Sequence, residues 1–173
     1  MTRMFTPAEA CAVVAEATGF PLDPDMLRRW RHRGILRKRA EEEGGWTRYS
    51  FLEVFELCAL ADIVAQTSMS IGDASSLAGS VANYAPGCGG FVDVADDDPD
   101  GGYALLLTVK PVIGENGPAG FKTVLPIRVH VTEAHKLFSP SVAERMGGNS
   151  AVFVAVTQLR KRFKAAVGHL PTT

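Results

Sequence analysis

Cysteine is scarce in this sequence and forms no motif. Cys11, Cys58 and Cys88 make neither a Cys-x-x-Cys pair nor a Cys/His zinc spacing, which argues against a disulfide framework and a structural metal. Cys11 and Cys58 lie in apolar helical patterns and read as buried thiols; Cys88 sits in the Gly-rich "APGCGGF". Long apolar runs are missing as well. Nothing approaches the ~18 consecutive apolar residues of a membrane span, and the start, "MTRMFTPAEA", lacks the apolar core of a signal peptide. The expected place is therefore the cytoplasm, with no membrane partner. Charge of one sign is also lacking: 18 Lys and Arg stand against 19 Asp and Glu, a net charge of -1. That balance speaks against a nonspecific nucleic-acid coat. It leaves room for a local basic surface, because charge acts within about 8 Å at physiological salt. No GxSxG elbow, P-loop or dinucleotide fingerprint occurs. No convergent catalytic set is visible either, so neither enzymatic activity nor a cofactor or metal is expected.

What is present is a chain of 173 residues, 46% hydrophobic, enough for one domain or two small ones. "TPAE" at Thr6–Glu9 predicts a helix start, with a cap at Thr6, proline in the first turn and Glu9 closing a capping box. "TGFPLDPD" breaks that helix, with Gly19 suited to its C-cap. Asp23 and Pro24 open a second, short helix, which Gly34 stops near Arg33. "ILRKRAEEEGGWTRYS" reads as two short strands around Gly44-Gly45. "SFLE" opens a helix to about Gln66, with Leu52, Phe55, Leu60, Ile63 and Val64 on a wide apolar face. "SIGD" opens another, carrying Ile71, Ala74, Leu77, Ala78 and Val81 and ending before Pro86.

Beyond Pro86 the pattern turns to strands. "GGFVDVADDDPDGGYALLLTVKP" reads as two strands joined by an Asp-rich turn, in which EF-hand spacing is missing. "GENGPAG" is a further turn. "KTVLPIRVHV" is a third strand with Leu125, Ile127, Val129 and Val131 on one face, and Pro126 favours an edge. From about Asn149 to Leu170 a helical seam of Val152, Val156, Leu159, Phe163, Ala166 and Leu170 follows, although the β-branched "SAVFVAV" also suits a strand. That helix is expected to pack on the sheet and to share in dimerisation. His130 and His135 flank "VTEA" without a third ligand, and "RKRFK" at Arg160–Lys164 is either a solvated face or an extra phosphate contact.

The densest feature is "LRRWRHRGILRKR", residues 27–39, with seven Arg or Lys and no acid. On a helix at 100° per residue, Leu27 and Trp30 share one side, Asp25, Arg28, Arg29 and His32 point the opposite way, and Arg31 and Arg33 flank. A greasy inner edge and a cationic outer face suit a helix that enters a DNA major groove, where arginine binds guanine N7 and O6 with two hydrogen bonds. Arg28, Arg29 and His32 are the base-edge candidates. Arg31, Arg33, Arg37, Lys38, Arg39 and Arg48 are the candidates for phosphate or minor-groove contact along the helix flanks and the basic hairpin. The competing reading is a charged helix face that is simply solvated.

In order, "FTPAEA", "TGF", "LRRWRHRGIL", "RYS" and "FLEVFELCALADIVAQTSMSIGDASSLA" resemble the MerR-like family of winged helix-turn-helix DNA-binding domains over about residues 4–80. The resemblance implies that Arg28 is a DNA-contacting arginine, Arg48 the wing arginine and Trp30 a family aromatic position. It also implies a homodimer on double-stranded DNA, often at promoters. Glu41–Glu43 in the wing and the strand-rich segment after the fourth helix depart from the family pattern. The expected fold is α+β: a winged helix-turn-helix over residues 1–84, then a small antiparallel β-meander with a C-terminal helix over 85–173, for assembly or sensing. The expected function is sequence-specific DNA binding, as a transcriptional regulator. Two rivals stand beside it: an architectural DNA-binding protein of phage excision or packaging type, and a C-terminal domain whose ligand sensing or catalysis dominates. Whether a small-molecule effector or RNA polymerase takes part is left open by the sequence.

Overall fold

The computed structural model describes residues 3–36, 47–67, 69–87, 103–115, 117–130, 132–133, 135 and 150–171. Among them the fold is α+β: five helices, a two-stranded ribbon and a three-stranded antiparallel sheet. The chain divides into two compact units. One comprises 1–75 with 159–173, the other 76–158.

In the first unit, strand β1 (Met4–Phe5) leads into helix α1 (Pro7–Thr18). The predicted capping box is complete: the Glu9 N–H donates to Thr6 Oγ1 at 3.2 Å and the Thr6 N–H donates to Glu9 Oε2 at 2.7 Å. Those hydrogen bonds hold the Glu9 carboxyl below its ordinary range, the Thr6 backbone bond first among them. Ala10, Val13, Val14 and Ala17 step by three and four and are buried, the spacing of one helix face. Gly19, at φ 74°, closes the helix by donating to the Ala15 carbonyl.

After a five-residue turn comes α2 (Pro24–His32), and then β2 (Tyr49–Ser50). β2 pairs antiparallel with β1, Phe5 opposite Tyr49 and Met4 opposite Ser50. The sequence places this segment in a hairpin turning at Gly44-Gly45; residues 37–46 of that expected hairpin lie outside the described residues. A two-residue N-terminal strand carries no detectable alternation, so its pairing is invisible locally.

Ser50 also caps α3 (Phe51–Thr67): the Ser50 N–H donates to Glu53 Oε2 at 2.6 Å and the Glu53 N–H to Ser50 Oγ at 3.3 Å. α3 is buried on nearly every side, from Val54 through Ile63 with only Glu56 half-exposed. That marks the central helix of a core rather than a surface helix with one apolar face. α1 and both short strands pack on it.

Helix α4 (Ile71–Gly87) starts with Ser70 Oγ accepting from the Asp73 N–H. It buries Ala74, Leu77, Ala78 and Val81, as the spacing predicts. It continues past Pro86 rather than stopping before it; a proline this close to the end removes a donor from the final turn only.

In the second unit, β3 (Tyr103–Gly114) and β4 (Gly117–His130) form a hairpin, and β5 (Ser150–Val154) pairs with the other side of β3. The order is β4-β3-β5: the expected pair 103–111 and 122–131 forms, but β5, read mainly as helix, joins β3 rather than following β4 as a meander would, and the expected strand and Asp-rich turn before residue 103 lie outside the described residues. Proline placement fits this order. β5 pairs with β3 only over Leu105–Val109, leaving Pro111 outside the doubly bonded stretch. Pro126 lies on β4, an edge strand among the described residues, where a missing donor is tolerated.

The C-terminal segment also differs from expectation. Val152 and Val154 are buried while Phe153 is 40% exposed, the period of a strand. The helix, α5, begins only at Val156 and ends at His169. The units also depart from a division at 84/85, because 159–173 belongs with the N-terminal residues. The reason is aromatic packing. Phe163 is fully buried, with its ring 4.6 Å from that of Phe51 and 5.4 Å from that of Phe55, both edge-on. Arg162 adds an ion pair to Asp62 at 3.2 Å, and His169 contacts Glu16. The seam expected to lie on the sheet thus packs on α3 over these residues. "RKRFK" is correspondingly no uniform solvated face, since Arg160 and Phe163 are buried and Arg162 is paired.

Candidate nucleic-acid interface

Helix α2 is built to present one face. Asp23 caps it by accepting from the Met26 N–H at 2.7 Å, and Pro24 occupies its first turn. Its end is closed twice. The Gly34 N–H donates to the Arg31 carbonyl and the Ile35 N–H to the Trp30 carbonyl, both at 3.0 Å, with Gly34 at φ 71°. This pair of bonds around a left-handed residue is the Schellman arrangement, which satisfies carbonyls that the helix end would otherwise leave bare. No Cβ at Gly34 would meet a neighbour within 4 Å. Glycine is therefore required there by backbone conformation alone.

Leu27 is fully buried and Trp30 is 5% exposed, its ring 6.1 Å from that of Phe20 in the preceding turn. α1 packs directly on α2. Arg28, Arg29, His32 and Arg33 are exposed, so the wheel read from the sequence matches the burial. The outer face carries three arginines and a histidine, with a single acid, Asp25. Arg28 donates to Asp25 Oδ1 at 2.5 Å, one helical turn away, and both side chains stay largely in solvent.

Arg31 departs from its expected setting. It is half-buried. Its guanidinium lies over the Tyr49 ring, 5.4 Å from the centroid, and donates to the Tyr49 hydroxyl at 3.4 Å. Tyr49 is 5% exposed, and burial raises its hydroxyl above the usual range against the lowering effect of Arg31. Arg31 thus ties α2 to β2. The sequence signal for this contact was the tyrosine of "RYS", which has no local spacing to Arg31. Arg48, the residue before β2, is exposed. Arg37, Lys38, Arg39 and the acids Glu41–Glu43 lie outside the described residues.

Elsewhere the described residues offer less. No group of three or more His, Cys, Asp or Glu is arranged to hold a metal among them. His130 ends β4 with Nδ1 2.6 Å from the Thr132 hydroxyl, and His135 is exposed. Cys11 and Cys58 are buried; desolvation pushes their thiols up to about 11 and about 12. That keeps them protonated and unreactive at neutral pH. No helix among the described residues is long and apolar enough to cross a membrane. Compared with known proteins, the chain matches no family model and no curated sequence.

Proposed function

We propose that the protein binds double-stranded DNA sequence-specifically, as a MerR-like winged helix-turn-helix protein acting in transcriptional regulation as a homodimer. The observation that carries this is the split of α2. Leu27 and Trp30 seat the helix on α1 and the turn, while Arg28, Arg29, His32 and Arg33 face outward together. A short helix fixed along one edge and cationic along the other has the shape and donors that base edges in a major groove require. A merely solvated helix needs no such concentration of arginine.

In this reading Arg28, Arg29 and His32 meet base edges. Arg33 and Arg48 meet phosphates, joined by Arg37, Lys38 and Arg39 of the wing. Arg31 is a positioning residue, which sets the wing strand against the helix through Tyr49. Recovery of genomic fragments bound to the full chain tests the proposal. Enrichment of a two-fold symmetric site at promoters supports a dimeric regulator. Enrichment at attachment or packaging sites supports an architectural role instead. Recovery without any shared site refutes sequence-specific binding.

A further inference from the structure

We propose that Asp25 is a specificity-determining residue of the α2 face, selecting duplexes that place an amino-bearing base beside the guanine read by Arg28. The inference rests on the DNA-binding reading above. Asp25 is the only acid between Pro24 and Arg33. It does not cap the helix, because Asp23 holds that role through the Met26 N–H. Its carboxylate instead accepts from Arg28 Nη2 through Oδ1, with the two side chains 72% and 77% exposed. Exposed pairs of this kind contribute little to stability. A carboxylate on a face that meets a polyanion also weakens nonspecific binding. As an acid in the first turn Asp25 also favours the helix N-terminus modestly, a gain that does not depend on its pairing with Arg28; that pairing on the outer face is what selectivity accounts for.

The chemistry runs through both oxygens. Oδ1 holds one nitrogen of Arg28, which restrains the guanidinium and leaves its other donors for guanine N7 and O6. Oδ2 has no donor among the described residues and can accept from the N4 amino group of cytosine or the N6 amino group of adenine. Guanine O6 or thymine O4 at the same place would set oxygen against carboxylate, so the wrong pair is repelled as well as unrewarded. The spacing suits neighbouring pairs: three helical residues rise about 4.5 Å, close to the ~3.4 Å step between bases.

The test is sequence selection from a randomised duplex pool by the full chain, comparing wild type, Asp25→Ala, Asp25→Asn and Arg28→Ala. Circular dichroism melting checks that each variant folds. Asp25→Ala is expected to keep guanine at the Arg28 position. It should lose about fivefold or more of the cytosine or adenine preference at the adjacent pair, the low end of a good base contact, and bind random duplex more tightly than wild type. Asp25→Asn, which can also donate, should admit guanine or thymine there. An Asp25→Ala motif and random-duplex affinity identical to wild type overturn the inference while leaving DNA binding intact. A wild type that selects no motif, or an Arg28→Ala variant that selects the wild-type motif, overturns the reading of α2 and the inference with it.

Discussion

Replacing Phe163 by alanine should unfold the N-terminal unit far more readily, although the residue is more than ninety positions from the nearest ring it touches. Its side chain is fully buried between Phe51 and Phe55, with centroids 4.6 and 5.4 Å away and edge-on geometry. Removing a buried phenylalanine costs about 3–5 kcal/mol, the transfer of the ring plus the cavity left behind. The lost ring pairs are counted within that range, since edge-to-face contacts add only about 0.5–1.5 kcal/mol. Against a typical domain stability of about 5–15 kcal/mol, this is a large fraction. With a urea dependence near 2 kcal/mol per molar, the midpoint should fall by roughly 2 M. The assay is urea unfolding of the full chain in a Trp46→Phe background, so that fluorescence reports Trp30, which lies in the same unit. A shift equivalent to less than about 0.5 kcal/mol, the size of a surface change, would show that α5 does not complete this core.

Two further outcomes follow from local geometry. Gly34→Ala places a Cβ in open space but at φ 71°, so it should lower stability by about 1–2 kcal/mol through backbone strain alone, read as a fall in urea midpoint. Glu9 carries a depressed carboxyl because the Thr6 backbone and side chain bond its ionised form. A group whose folded value lies below its unfolded one stabilises above the ordinary carboxylate range, and that contribution fades as pH falls through the folded value. Thermal melts between neutral and acidic pH should therefore drop less steeply for Glu9→Gln than for wild type.

Much of the first unit was legible because its signals are local. Thr6/Glu9, Asp23/Pro24 and Ser50/Glu53 each announce a helix start within four residues, and each cap forms as read. Leu27 and Trp30 mark the inner edge of α2 by spacing alone. What stayed hidden was long-range. Met4 and Phe5 are too few to show strand alternation, and nothing near Tyr49 names β1 as its partner. The seam of Leu159, Phe163 and Ala166 shows that a helix has an apolar face, but not that the face belongs on Phe51 and Phe55. The order β4-β3-β5 was equally unreadable, since chain proximity favours β4 beside β5. At the candidate interface the exposed arginines were legible and the Arg31–Tyr49 tie was not, because it joins residues eighteen apart with no periodic relation.

The proposed DNA reading rests on the outer face of α2. The most direct test is the binding of the wild-type chain and the Arg28→Ala/Arg29→Ala variant to genomic fragments, at matched salt and with tryptophan fluorescence confirming equal folding. Saturable, site-selective binding is expected of the wild type and its loss in the variant, with only weak, salt-sensitive association remaining. Unchanged binding by a folded double variant, or no binding by the wild type, would contradict that reading.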